Sequence, residues 1–289
     1  MKTTNSITIT RIISAVVALP VYFFAIITDM FHAVPILVVS LAVTGISLYE
    51  FYQIGNRGEN GRPFLYTGIA AGIVINFIMY LFVYGSHIER FDARIILGVM
   101  CFLLAVLFTQ QLFMRPIKGG AYSISITLAG LIYIVIPFAH IIFMKALSDG
   151  IFYIMVINII IMVNDSAAYF GGVYLGRHKT DFAVSPNKSW EGYASGLIFS
   201  VLGMLALNAV YASFFDRHLF TMVEAGILGG VLSILGNIGD LIESAFKRDG
   251  AIKDSGSIIP GHGGMLDVFD AMIFTIPLFY YYLVLKGVS

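Results

Sequence analysis

Apolar residues run through this chain in blocks of about twenty, broken by short polar stretches. Crossing the hydrocarbon core of a bilayer as a helix takes about 20 mostly apolar residues. On that rule the pattern predicts nine spans, near 9–28, 33–54, 65–85, 94–114, 122–145, 151–174, 191–213, 222–246 and 268–286. Three connections are longer than the rest: Gly55 to Phe64, Leu175 to Trp190 and Lys247 to Asp267. The expected architecture is an all-α polytopic membrane protein. No linker or low-complexity tract divides it, so residues 1–289 read as one domain, with 1–120 a helical scaffold and 121–289 carrying the chemistry.

Composition sharpens this. The chain is 58% hydrophobic with 12% charged residues, and its mean hydropathy is +0.89. Soluble domains carry about 25% charged residues. Net charge is zero and no basic tract suggests nucleic acid. Cys101 is the only cysteine, which excludes an internal disulfide and a cysteine-based zinc site. The first apolar run lacks a clear cleavage site and leads into further spans, unlike a signal peptide.

Orientation follows from the bias of Lys and Arg towards cytoplasmic loops. Nine spans with a cytoplasmic N-terminus place 12 of the 17 basic residues inside and 5 outside. Both chemically rich loops, at 175–190 and 247–267, then face the cytoplasm, where nucleotides are found.

In the early spans, Glu50 before Phe51 and Tyr52 reads as an interfacial carboxylate, and Gln110 and Gln111 as interhelical hydrogen-bonders. His140, alone in an apolar run, reads as a packing residue.

Three constellations stand apart. Asp165, Tyr169, Gly172 and Gly176 are spaced i, i+4, i+7, i+11 and share one helical face. The glycines fit helix packing, whereas a carboxylate at that depth points to function. In Ser185-Pro186-Asn187-Lys188-Ser189-Trp190-Glu191-Gly192, Ser189 is a helix cap and Lys188 a point charge suited to phosphate. The third stretch is the densest. Asp240, Ser244 and Lys247 share a face of the eighth span, followed by Arg248, Lys253 and Asp254. Next comes Pro260-Gly261-His262-Gly263-Gly264, and Asp267 and Asp270 open the last span. Aspartates around a basic, glycine-rich loop suit a hard divalent cation held through oxygen and shared with phosphates, which favours magnesium over zinc.

Laid out in order, Ser244-Ala245-Phe246-Lys247-Arg248, Lys253-Asp254-Ser255-Gly256 and Ile259-Pro260-Gly261-His262-Gly263-Gly264-Met265-Leu266-Asp267-Val268-Phe269-Asp270 resemble the signature of the phosphatidate cytidylyltransferases, or CDP-diacylglycerol synthases. Order and spacing agree from Ser244 to Asp270. One position departs: the family usually carries Arg between the closing aspartates, where this chain has Val268. The segments at 165–169 and 185–192 also look like family segments.

The resemblance implies magnesium-dependent reaction of CTP with phosphatidic acid, giving CDP-diacylglycerol and pyrophosphate in phospholipid biosynthesis. It implies metal binding by Asp240 and Asp267, then Asp270 and Asp165, with room for a second cation. It implies that Lys247, Arg248 and Lys253, with Asp254, handle the triphosphate. His262 with Gly261, Gly263 and Gly264 would line the phosphate loop, Ser244 would be a further binding residue, and Lys188 would meet a lipid or nucleotide phosphate. The expected setting is the cytoplasmic (inner) membrane, with a homodimer compatible with the apolar first spans. Two alternatives stay open: a CTP-dependent transferase or kinase for another lipid or polyprenol phosphate, and a cation-coupled transporter, against which the absence of an inverted repeat weighs.

Overall fold

A computed structural model describes residues 16, 19–28, 30–58, 61–85, 94–261 and 263–288. Eight of its helices are long and apolar enough to cross a membrane. We number them α1 (Met30–Gly55), α2 (Leu65–Tyr84), α3 (Arg94–Met114), α4 (Gly120–Lys145), α5 (Gly150–Tyr174), α6 (Trp190–Phe215), α7 (Met222–Asp249) and α8 (Met265–Leu285). They coincide with the last eight expected spans to within a few residues. The first expected span lies partly outside the described residues, but 19–27 are helical. Among the described residues the only β-pairings are two isolated bridges, Lys179 with Ser189 and Ile259 with Gly263.

The described chain falls into two compact units. The first comprises residues up to Ser148 together with Phe246–Phe269, and the second Asp149–Ala245 with Asp270–Val288.

In the first unit, large side chains fill notches left by glycine. Tyr52 on α1 lies where side chains at Gly68 and Gly130 would stand, and Leu48 does the same at Gly72. Removing side chains lets helices approach closely, which suits packing in lipid. Several polar groups inside are paired: Tyr52 donates to Thr127 O at 2.8 Å, and Asn76 donates to Ser40 at 3.0 Å and Thr44 at 2.9 Å. Gln110 accepts from Thr67 at 2.8 Å, an interhelical bond as expected. Gln111 instead donates to Pro116 O in the following loop. His140 is a packing residue, buried with Nδ1 2.6 Å from Ile136 O. Lys145 donates to the carbonyls of Ala25, Ile26 and Thr28, covering acceptors that a helix end leaves open.

Helix α4 is not regular. Leu131–Val135 forms a π turn. Pro137 explains it: a proline cannot donate to the carbonyl four residues back and its ring crowds that carbonyl, so the backbone widens there.

In the second unit, α5 and α6 pack through small residues. A side chain at Gly196 would strike Asn164, one at Gly192 would meet Ala168 O, and one at Gly171 would strike Ser195. Gly236 and Gly239 on α7 likewise make room for α8 at Ala271 and the Asp270 backbone. Helix α7 opens on a capping box: Thr221 N donates to Glu224 at 2.7 Å and Glu224 N to Thr221 Oγ1 at 3.2 Å. Glu224 also accepts from Tyr282 and Lys286, each at 3.0 Å.

Candidate active site

Two clusters, one in each unit, hold several of the charged residues that the sequence singles out.

The second unit contains a cavity of about 700 Å³. Asp165, Tyr169, Gly172 and Gly176, the four residues placed on one face by their spacing, all line it. Lys188, Ser189, Gly192 and Tyr193 come from the α5–α6 loop and the start of α6, and Asn237 and Asp240 from α7. Ser189 caps α6 as expected, its Oγ accepting from Gly192 N at 3.2 Å. The loop is shaped by Thr180 N donating to Lys188 O at 3.0 Å and Trp190 N to His178 O at 3.0 Å. Glu191 steadies its other end, with an oxygen 2.5 Å from His178 Nδ1.

So held, Lys188 donates to Asp240 Oδ2 and lies 5.4 Å from the Tyr193 ring centre. Burial disfavours the ammonium, but the Asp240 carboxylate outweighs it and holds Lys188 above the ordinary lysine value. Asp165 accepts from Asn164 Nδ2 at 3.1 Å, and the same amide nitrogen is 3.3 Å from Asn237 Oδ1. Ser233 donates to Asn164 Oδ1 at 2.6 Å, so the side chain beside Asp165 is fixed from α7. Sequence reasoning missed this Asn164–Asn237–Ser233 network, because single amides and hydroxyls in apolar runs look like ordinary interhelical glue.

The cavity presents the carboxylates of Asp165 and Asp240 and the amide of Asn237. An all-oxygen set with two carboxylates fits a hard divalent cation that takes its remaining ligands from phosphate and water. It does not make a closed cage: among the described residues no three His, Cys, Asp or Glu side chains group closely enough to hold a metal by themselves.

The first unit holds the other cluster. Lys247 donates to Asp267 Oδ1 at 2.7 Å, with both side chains about one-tenth exposed. Asp267 Oδ2 accepts from Gly264 N at 2.7 Å and from Ser255 N and Oγ, both at 2.9 Å. Asp267, expected as a metal ligand, thus has each oxygen engaged within the protein. The glycine run is also turned inward: Gly263 N donates to Ile259 O at 3.1 Å, and Gly264 N to Asp267. Gly261 and Gly263 have φ of +81° and +103°, a region where glycine carries no side-chain penalty. Arg248 donates to Ile252 O, while Lys253 and Asp254 are exposed on the loop. His262 lies outside the described residues. Ser244 and Asp270 belong to the second unit; Ser244 is half-buried on α7, and Asp270 is buried at 9% exposure with Oδ1 2.5 Å from Ala271 N.

Glu50 departs from expectation. Rather than an interfacial carboxylate, it is 2% exposed and bonded to the start of α8. Its only sequence signal was an acidic residue in an apolar span.

Residues 9–286 match the sequence profile of the cytidylyltransferase family. The chain belongs to that family. A phosphatidate cytidylyltransferase of Bacillus subtilis (strain 168) is 30% identical over 278 residues, which cover 95% of this chain and 97% of that protein. One from Staphylococcus aureus (strain COL) is 40% identical over 136 residues, 47% of this chain and 50% of that protein. One from Staphylococcus haemolyticus is 39% identical over 146 residues, 50% and 54% respectively. The cavity holds Lys188, paired with Asp240, beside the carboxylate of Asp165.

Proposed function

We propose that this protein is a membrane-bound nucleotidyltransferase that converts phosphatidic acid and CTP to CDP-diacylglycerol and pyrophosphate. The observation that carries the reading is the family match over 9–286, together with the 30% identity to a phosphatidate cytidylyltransferase over nearly the full length of both chains.

A phosphate oxygen of the lipid attacks the α-phosphorus of CTP, a new P–O bond forms, and the bond to the β-phosphate breaks as pyrophosphate leaves. A phosphate monoester is already a nucleophile near neutral pH, so the protein's task is to position charge and neutralise it. Lys188 supplies a fixed positive charge in the cavity, held by Asp240. Asp165 and Asp240, with Asn237, are the residues that would hold a magnesium ion. Such an ion, when bound, neutralises phosphate charge. In the first unit, Arg248 at the end of α7 and Lys253 on the exposed loop that follows it are cations suited to phosphate charge. Asp267 and Lys247 keep that loop in shape.

The 12-to-5 distribution of basic residues supports a cytoplasmic N-terminus and loops that open to the cytoplasm, and with bacterial relatives it favours the inner membrane. A second copy against the exposed apolar face of α3 is compatible with this reading and not required by it.

The test uses purified protein in detergent with phosphatidic acid, radiolabelled CTP and magnesium, scored for labelled lipid. Labelled CDP-diacylglycerol that disappears without magnesium is expected. Label transferred only to another lipid or polyprenol phosphate overturns the substrate assignment, and no CTP-dependent product from any lipid phosphate overturns the enzyme reading.

A further inference from the structure

We infer that Glu50 is a positioning residue for the reaction, acting through the loop before α8 and the first turn of α8, where Asp267 stands. The inference rests on the cytidylyltransferase reading for its chemistry and on the first unit alone for its geometry.

Glu50 sits on α1, distant in sequence from every motif that drew attention. Its carboxylate accepts from Met265 N at 3.0 Å and Leu266 N at 2.8 Å, the first two residues of α8. These are amides that a helix leaves without an internal partner, and a negative charge at that end is favoured by the helix dipole. Ser255 Oγ lies 3.2 Å from Glu50 Oε2 and 2.9 Å from Asp267 Oδ2, so one hydroxyl sits between the two carboxylates. A hydroxyl carries one proton, so it serves these acceptors as a shared link.

Two glycines of the signature owe their smallness to this carboxylate. A side chain at Gly256 would start 2.9 Å from Glu50 Cδ, and one at Gly264 would start 2.6 Å from Glu50 Oε2. The next residue, Phe51, has its ring centre 5.2 Å from that of Phe246, immediately before Lys247, with Tyr133 completing the cluster. Adjacent residues of α1 therefore hold both partners of the Lys247–Asp267 pair: Phe51 through the end of α7, Glu50 through the loop and the start of α8. Through Ser255 and the first amides of α8, Glu50 sets where Asp267 stands.

The test compares Glu50→Gln, which keeps the size of the side chain but turns one acceptor into a donor, with Ser255→Ala and the double variant. Each is normalised to folded, monodisperse protein. Turnover is measured with phosphatidic acid and CTP, and CTP affinity is measured separately by equilibrium binding. Glu50→Gln is expected to lower kcat at least tenfold per folded molecule while leaving KM for the lipid within twofold. The double variant is expected to lose less than the product of the single losses, because both act through one loop. A kcat within twofold of the parent, or fully multiplicative losses, overturns the proposal. If Glu50→Gln does not fold, Ser255→Ala decides: its kcat falls at least threefold, or the link through the loop is refuted. If the parent protein turns over no phosphatidic acid, the substrate reading fails by itself. The Glu50 proposal is then judged on CTP binding, where a fivefold or greater weakening supports it and unchanged affinity refutes it.

Discussion

Lys247 and Asp267, twenty residues apart, are joined at 2.7 Å where each side chain is about one-tenth exposed. The partners are unequal. Asp267 has three further hydrogen bonds, from Gly264 N, Ser255 N and Ser255 Oγ. Removing one partner of a buried pair strands the other charge, at a cost of about 3 kcal/mol or more.

Asp267→Ala is therefore expected to cost more stability than Lys247→Ala, because it orphans three loop donors as well as the ammonium. Both are expected to lose at least 100-fold in turnover. Thermal unfolding in detergent, read beside turnover of the folded fraction, checks the order. Equal unfolding midpoints would show that the loop does not depend on Asp267.

Asp165 and Asp240 are expected to govern the metal requirement. Asp240→Asn and Asp165→Asn should each raise the magnesium concentration for half-maximal turnover at least fivefold, with lipid KM little changed. A magnesium titration at saturating CTP measures this. An unchanged requirement in both variants would remove the cavity from metal binding.

Lys188 gives a pH prediction. Its ammonium is held above the ordinary value of 10.5 by Asp240. A raised lysine contributes stability in full below its unfolded value and loses it only as pH rises through the higher folded value. Between pH 6 and 9.5 Lys188 thus stays charged and adds no titration step. Lys188→Met should lower turnover at least tenfold across this range without altering the profile's shape. A new alkaline limb in the parent that Lys188→Met abolishes would contradict the assignment.

The α5–α6 seam should tolerate no branching. A side chain at Gly196 would start 2.7 Å from Asn164 Oδ1, the atom that accepts from Ser233. Gly196→Val is expected to cost about 1–3 kcal/mol by overpacking and to lower activity through the disturbed Asn164–Asp165 contact. Unfolding midpoints and turnover test it together.

Val268, where the family usually has arginine, is 40% exposed on α8. Val268→Arg should fit without displacing neighbours and change stability by no more than about 0.5 kcal/mol. Turnover at or above that of the parent is the expected result. A drop in both stability and turnover would show that the surroundings have adapted to valine.

The helices were legible because bilayer thickness fixes their length, and an apolar block of about twenty residues says so directly. The cavity face was legible for a related reason: Asp165, Tyr169 and Gly172 keep their i, i+4, i+7 spacing within α5, and Gly176, just past its end, still lines the cavity. What could not be read was who meets whom over long separations. Glu50 and Ser255 are 205 positions apart, and no local pattern ties them. The glycines after Pro260 were expected to offer amides to phosphate. In the structure the room at Gly263 is taken by the Asp267 carboxylate and that at Gly264 by Ser255 and the Glu50 carboxylate. The π turn in α4 was hidden because Pro137 announces a disturbance without saying how the backbone absorbs it.

The separation of Glu50 from Leu266, 216 positions, sets a schedule for synthesis. At about 5–20 residues per second, roughly 10–40 s pass between the making of this carboxylate and the arrival of the amides that bind it. Throughout that interval α1 enters the membrane with an acidic group lacking its eventual partners. Chains that stop short of α8 never supply them. A product truncated before α8 thus keeps the Glu50 carboxylate but lacks the Met265 and Leu266 amides that bind it.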